Sequence, residues 1–444
     1  MKITRQKTNF SIILVTTLIL TSAVAPTNHF FAQTTQAEPL STPLSVDPKI
    51  STILSMINET MIRNYLTNLL SYGPRLTSNY GCQQAAKYIH EQFATNGLET
   101  RYQNWTGWGN RWHPGIFNSQ NVEATLQGIS KRTIVFNAHY DTVANTVGAD
   151  DNGDGVVAVL AAAYVLSHFT FLNTLKFVTF SGEEQGLLGS HTYAKEAYEN
   201  HDDIVVALNA DMIGYATNKV NATQVRTYGT EDVSWILDLA QELNTTYNLG
   251  FTFTRGITKE SGRGGSDYFS FVEYGYETVA FFEKDWNQAM HTPHDNFENV
   301  NISYLVNTTR LIVATMAYLA DHEISHPQIK ILSPRFGKWY INGRERPNLQ
   351  DLKTMVIGDI LVWTEVKPGT SPIEKVEFYY DDALVFVDTE APYSWHLNST
   401  SIKNHNVTAV VYDTLGQKAH DWKTIRYIDL GFITKLKTLL NVRS

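Results

Sequence analysis

Several strand-like runs of this chain end on imidazole or carboxylate side chains. Arg132 to Ala138 runs into His139-Tyr140-Asp141, Leu175 to Phe180 into Ser181-Gly182-Glu183-Glu184, and Ile204 to Ala210 into Asp211. Gly148-Ala149-Asp150-Asp151-Asn152-Gly153-Asp154-Gly155 opens a small-residue apolar helix, and His291-Thr292-Pro293-His294-Asp295 follows the run Thr278 to Phe282. Adjacent carboxylates straight after an apolar strand are costly unless a cation holds them. In the pair Glu183-Glu184, one could bind a metal while the other stays free as a base. Asp141 can accept a ring N–H of His139, which fixes the tautomer of a ligating histidine. Together, two histidines and three carboxylates beyond strand ends supply N and O donors for two zinc ions, with one carboxylate bridging. One further glutamate is left to act as general base.

Each fragment alone has an ordinary reading. A surface histidine accounts for His139-Tyr140-Asp141 equally well, and Gly148 to Gly155 suits the turn that starts a helix. An EF-hand is excluded, because its spacing is absent and no bidentate Glu follows at the required distance. What coincidence does not explain is the order of the whole set.

That order, HYD, GADDNGDG, SGEEQGLLGS, NADMIG and MHTPHD, resembles the co-catalytic two-zinc aminopeptidases of bacterial leucine-aminopeptidase type. Their superfamily also holds glutamate carboxypeptidase-like enzymes and glutaminyl cyclases. Gly265-Ser266-Asp267-Tyr268-Phe269 adds to the likeness, with Tyr268 where the family often has His. The likeness spans Asp47 to His322 and includes Tyr72-Gly73-Pro74-Arg75. It implies that His139 and Asp211 bind one zinc, Glu184 and His291 the other, and that Asp150 bridges them. It also implies Glu183 as base and Asp141 as the group orienting His139. His294 has no matching role and, like His191 and His201, reads as a surface residue.

The activity implied is that of an exopeptidase removing N-terminal residues from peptides. A carboxypeptidase would need cations for the terminal carboxylate, for which Arg255 or Arg263 could serve. A glutaminyl cyclase would use one zinc, whereas the intact Asp150 to Gly153 stretch with His139 favours two. A non-catalytic receptor or adhesin would not need to keep all five ligands and Glu183. No serine stands in a nucleophile-elbow context, and Cys82 lies outside every motif.

The elements that must position these groups follow from the pattern. From Asp47 to about His322, β-rich runs alternate with helices at Ala85 to Phe93, Gly155 to Ser167, Asp232 to Asn244 and Ile302 to Leu319. Such alternation predicts an α/β fold with a mixed, mostly parallel sheet flanked by helices and sites beyond the strands' carboxyl ends. Between Pro327 and Asp429 helical periodicity disappears. Short runs at Val356 to Val366, Ile373 to Tyr380, Ala383 to Val387, Val407 to Tyr412 and Thr424 to Ile428 predict a small all-β sandwich. Ile373 to Tyr379, Asp388 to Tyr393 and Val407 to Tyr412 resemble the Ig-like modules appended to secreted prokaryotic and archaeal proteins. That likeness implies a spacer, cell-surface contact or polymer binding, alongside the reading of a simple folding appendage.

The basic residues Lys2 to Lys7 before the apolar run Phe10 to Ala25 read as a secretory signal within 1–32, cleaved or kept as an anchor. A linker over 33–46 precedes the fold, and 430–444 is a tail. The formal charge of −9 grows three units more negative without Lys2, Arg5 and Lys7, which argues against nucleic acid. One cysteine allows no intrachain disulfide, so an exported chain must rely on its cores or a metal. Cys82 reads as a buried structural thiol. Sequons such as Asn58, Asn104, Asn244 and Asn301 suit an extracellular surface, though Asn-rich loops also give them by chance.

Overall fold

The segments β4 (Asn173–Phe180) and β5 (Ile204–Ala210) are almost wholly buried along their length, which requires cover on both faces of their sheet. The computed structural model describes residues 44–257, 265–346 and 354–429; the leader, most of the linker and the tail lie outside them. Three helices open the described chain: α1 (Pro48–Met56), α2 (Glu59–Leu70) and α3 (Tyr80–Thr95). Asp47, Asn58 and Asn79 cap them, accepting from Lys49, Met61 and Cys82 backbone N–H at 2.6, 3.0 and 2.7 Å.

The remaining strands of the main sheet are β1 (Glu99–Trp108), β2 (Ile116–Leu126), β3 (Ser130–His139), β6 (Gln224–Gly229), β7 (Thr252–Ile257) and β8 (Thr278–Glu283). Eight strands join in the order β1-β2-β4-β3-β5-β8-β6-β7. The central β4, β3, β5 and β8 are parallel, so their carboxyl ends share one edge. β2 runs antiparallel to β4 and β1 antiparallel to β2, so β1 points the same way as β4. The helices are α4 (Asp154–Leu166), α5 (Leu188–Glu199), α6 (Ser234–Thr246), α7 (Tyr268–Glu273) and α8 (Ile302–Asp321). Residues of α1 to α4, α6 and α8 form one core cluster with the sheet, while α5 and α7 contribute to another. This is the mixed, mostly parallel α/β arrangement expected from the alternation. The outer strands β1, β2, β6 and β7 were not among the runs read from the sequence.

The all-β part comprises β9 (Gln328–Ser333), β10 (Trp339–Ile341), β11 (Arg344–Arg346), β12 (Thr354–Ile357), β13 (Ile360–Lys367), β14 (Ile373–Tyr380), β15 (Ala383–Asp388), β16 (Ser394–Leu397), β17 (Asn404–Asp413) and β18 (Lys418–Ile428). Seven strands form one sheet and β16-β13-β9 a second, around a shared core. Val356 to Val366, read as one run, is two strands in different sheets. The chain turns at Gly358, whose φ of +78° is left-handed and where a Cβ would meet Asn342 Oδ1 at 2.3 Å.

The β-sandwich packs directly on the α/β part. Leu332 joins the cluster of Tyr198, Phe271, Tyr274 and Tyr276, His420 Nδ1 lies 2.7 Å from Asp232, and Lys367 pairs with Asp203 at 2.9 Å. Cys82 is buried, with burial first and Asp141 second pushing its thiol pKa up. Among the sequons, Asn58 and Asn301 cap helices, and Asn244 is buried with both amide atoms bonded to Phe251. Among the described residues no helix is long and apolar enough to cross a membrane.

Candidate active site

The carboxyl ends of β3, β4 and β5 deliver His139, the Glu183–Glu184 turn and Asp211 to one edge of the sheet. His139 and Asp211 are nearly buried there, with His139 Nε2 3.6 Å from Asp211 Oδ1 and 3.3 Å from Asp151 Oδ1. The other oxygen of Asp151 lies 3.0 Å from His291 Nε2, which is also 3.2 Å from Glu184 Oε2. Two donor groups therefore meet at one carboxylate: His139, Asp151 and Asp211, and Asp151, Glu184 and His291.

Charge in this edge is unbalanced. Burial pushes Glu183 well above the usual carboxylate range; His139 opposes this, while Glu184, Asp267 and Asp211 add repulsion. Glu184 is pushed up to about 7, mainly by burial and then by Asp151. Contacts with Asp151 and Glu184 raise His291 to about 10. Burial disfavours charged His139, yet Asp211, Asp141 and Asp151 hold its pKa well above the ordinary value. Glu184 Oε1 is buried without a hydrogen-bond partner. Imidazole and carboxylate donors converging in two groups, with an orphaned oxygen among them, fit borderline divalent cations such as zinc.

Residues 121–316 match peptidase family M28, and residues 356–409 match a bacterial Ig domain. The region around the donor groups is thus similar to the M28 peptidases. Leucine aminopeptidase 1 of Paracoccidioides brasiliensis strain Pb18 is 26% identical over 299 residues, covering 62% of this chain and 75% of that protein. The Legionella pneumophila LapA aminopeptidase structure aligns with a TM-score of 0.56 at 21% identity, over 64% of this chain and 78% of that one. Porphyromonas gingivalis glutaminyl cyclase aligns with a TM-score of 0.50 at 16% identity, over 59% of this chain and 98% of its own. Aminopeptidase and cyclase thus share this fold.

Within the M28-like region, the expected bridging residue needs correction. Asp150 belongs to a separate buried group with Asp154 and Glu283, and it is Asp151 that the two donor groups share. Backbone direction is the reason. Asp295 accepts the N–H of Asp150 at 2.9 Å and of Asp151 at 3.1 Å, pinning the turn so that the two neighbours diverge. Asp150 Oδ2 then accepts from Asn287 Nδ2 at 2.7 Å, and burial, with repulsion from Asp295, raises its pKa to about 7 although Asn287 opposes. Sequence reasoning gave Asp295 and Asn287 no role. The HTPHD motif contained Asp295, but nothing local shows a bond to residues 145 positions earlier.

The expected contact between His139 and Asp141 also differs. His139 Nδ1 lies 3.1 Å from the backbone carbonyl of Asp141, while the Asp141 carboxylate stands 3.7 Å away. That carboxylate instead accepts the N–H of Glu183 and Glu184 at 3.2 and 3.3 Å and the Thr77 hydroxyl at 3.0 Å. Buried Arg75, from the Tyr72 to Arg75 match, donates to the carbonyls of Tyr140, Val147 and Gly148 and so fixes the loop leading to Asp151. Asp267 is buried near His139 and Glu183, with both oxygens unpartnered and its pKa raised to about 7 chiefly by burial.

Of the two arginines considered for a substrate carboxylate, Arg255 is engaged elsewhere. It bonds Asp238 at 2.6 Å, Leu237 carbonyl at 3.0 Å and Gln241 at 2.8 Å, all on α6. Arg263 lies outside the described residues. His294 and His201 are exposed, and His191 is 3.2 Å from Glu273.

Proposed function

We propose that the M28-like domain is a two-zinc aminopeptidase in which Asp151 would be shared between the two metal sites. His139 and Asp211 would hold one zinc, and Glu184 and His291 the other. The observation that carries this reading is that the two oxygens of Asp151 point to different histidines, at 3.3 and 3.0 Å. Bound zinc supplies Lewis acidity, polarising a peptide carbonyl and lowering the pKa of an attacking water toward 7.

The protein's own groups do the rest. Glu183 is in the same turn as Glu184 but belongs to neither donor group, which leaves its carboxylate free to take the water's proton and return it to the leaving amine. Asp141 orients that turn through the N–H groups of Glu183 and Glu184. An edge lined by Glu183, Asp211 and Asp267, with Arg255 turned away, favours a substrate presenting a free α-ammonium. The basic and apolar leader supports export to the extracellular space, where the Ig-like module would act as spacer or attach to a cell surface or polymer.

A panel of leucyl peptides and their N-acetylated forms, assayed beside elemental analysis of the same preparation, tests the reading. Cleavage only with a free α-amine and two zincs per chain are expected. Efficient carboxyl-end cleavage of acetylated peptides would replace the reading with a carboxypeptidase. A single tightly held zinc, with no activity gained on adding more, would point to the cyclases.

A further inference from the structure

The β1–β2 hairpin is longer than the sheet requires. Val122 pairs with Thr179, one residue before β4 ends, whereas β2 begins at Ile116. About five residues of each hairpin strand therefore project past the end of β4, roughly 17 Å at 3.4 Å per residue. Because β1 runs parallel to β4, this projection stands on the edge that holds His139, Glu183 and Asp211.

The tip is fixed to the catalytic turn. Gly109 N–H bonds Gly115 carbonyl at 2.8 Å, and Asn110 Oδ1 accepts the N–H groups of Trp112 and His113, each at 2.9 Å. Asn110 N–H then donates to the Gln185 carbonyl at 2.7 Å, within the turn closed by Gly186 and Leu187 N–H on Glu183 carbonyl. The approach is close: a Cβ on Gly186 would lie 3.1 Å from that of Asn110.

What this braced tip presents is unusual for a loop in an acidic protein. Trp108 is 67% and Trp112 72% exposed, and the Arg111 guanidinium lies 4.3 Å from the centre of the Trp112 ring. Arg111 makes no ion pair among the described residues. An exposed apolar side chain alone is ordinary, but here a cation lies over an indole in a loop whose Asn110 is bonded to the Glu183 turn.

We infer that this tip is the subsite for the leaving part of the substrate, and that it selects short peptides with a free carboxyl end. Trp112 packs against an apolar or aromatic side chain just beyond the cleaved bond, and Arg111 receives the terminal carboxylate. A long polypeptide would place no terminal carboxylate there. The inference rests on the peptidase reading above.

The zinc-loaded full chain and its R111Q and W112A variants should be compared on leucine anilide, Leu-Phe, Leu-Phe amide and N-acetyl-Leu-Phe. R111Q is expected to raise the KM of Leu-Phe relative to its amide about fivefold, through KM rather than kcat, as loss of a half-exposed charge contact would. W112A should raise KM severalfold for dipeptide and amide alike. An unchanged acid-to-amide ratio in R111Q, with the native protein active on leucine anilide, overturns the inference and leaves the aminopeptidase reading intact. Cleavage of N-acetyl-Leu-Phe with the same Arg111 dependence upholds the subsite and overturns the aminopeptidase reading. Inactivity of the native protein on every substrate overturns both.

Discussion

The backbone N–H of Glu183 donates to Asp141 Oδ1 at 3.2 Å across 42 positions of sequence. Asp141 therefore holds the backbone of Glu183, the proposed base, while its own carbonyl meets His139. A residue expected to orient one histidine couples both halves of the site.

Glu183 and Glu184 should fail differently. E184Q removes a charged donor of the second group, so zinc content and thermal stability should fall together with activity. E183Q keeps shape and donors but loses proton acceptance, so kcat should drop about 10²–10⁴-fold with zinc content unchanged. Equal zinc loss in both variants would make Glu183 a ligand.

Asp150 and Asp151 provide a sharper contrast, because they are identical neighbours. D151N should lose zinc from both groups and with it nearly all activity. D150N should keep its zinc, since its carboxylate faces Asp154, Glu283 and Asn287. Elemental analysis of the two proteins decides, and comparable metal loss would return Asp150 to the centre.

Lys330 gives the sandwich contact a pH dependence. Its ammonium is buried 3.3 Å from the Tyr276 ring, and burial, then Lys367, lowers its pKa from 10.5 to about 7. The folded pKa lies below the unfolded one, so between pH 7 and 10.5 the unfolded chain binds more protons. This contribution therefore makes stability rise with pH across that window and lowers it as pH falls toward 7. K330M should flatten the rise and stabilise the protein at pH 7 by an amount on the order of a few kcal/mol. Identical pH profiles of denaturant midpoint in native and variant protein would show that Lys330 is not strained.

Ending the chain after Ser325 tests how far the two parts depend on each other. All proposed ligands precede that point, so zinc binding should survive. Tyr198, Tyr274 and Tyr276 would lose the cover of Leu332, and Asp232 its contact with His420. A lower Tm with retained zinc is the expected outcome. An unchanged Tm would mean that the contact contributes nothing to stability.

Local sequence carried much of the fold. The run Ile204 to Ala210 matches β5 residue for residue, because a strand buried on both faces leaves an uninterrupted apolar signature. β1 gave no such signal: its Glu99-Thr100-Arg101-Tyr102 start is largely exposed. The break at Gly358 was hidden for the opposite reason, since both flanking strands are apolar and only the left-handed turn separates them.

By itself, the sequence determined which donor types are present and that they follow strand ends, because side-chain chemistry and apolar periodicity are local properties. Tertiary structure alone decided which of two adjacent, buried aspartates faces the two histidines. Asp150 and Asp151 have the same charge, size and hydrogen-bonding capacity; their directions are set by a backbone turn that Asp295 grips from 144 or 145 residues away. The same holds for Arg255, drawn off to α6, and for Arg111, carried to the edge that holds His139 and Glu183 by a hairpin whose length matters only once β2 has paired with β4. Composition cannot encode such directions, because they arise from hydrogen bonds and strand registers formed between distant parts of the chain.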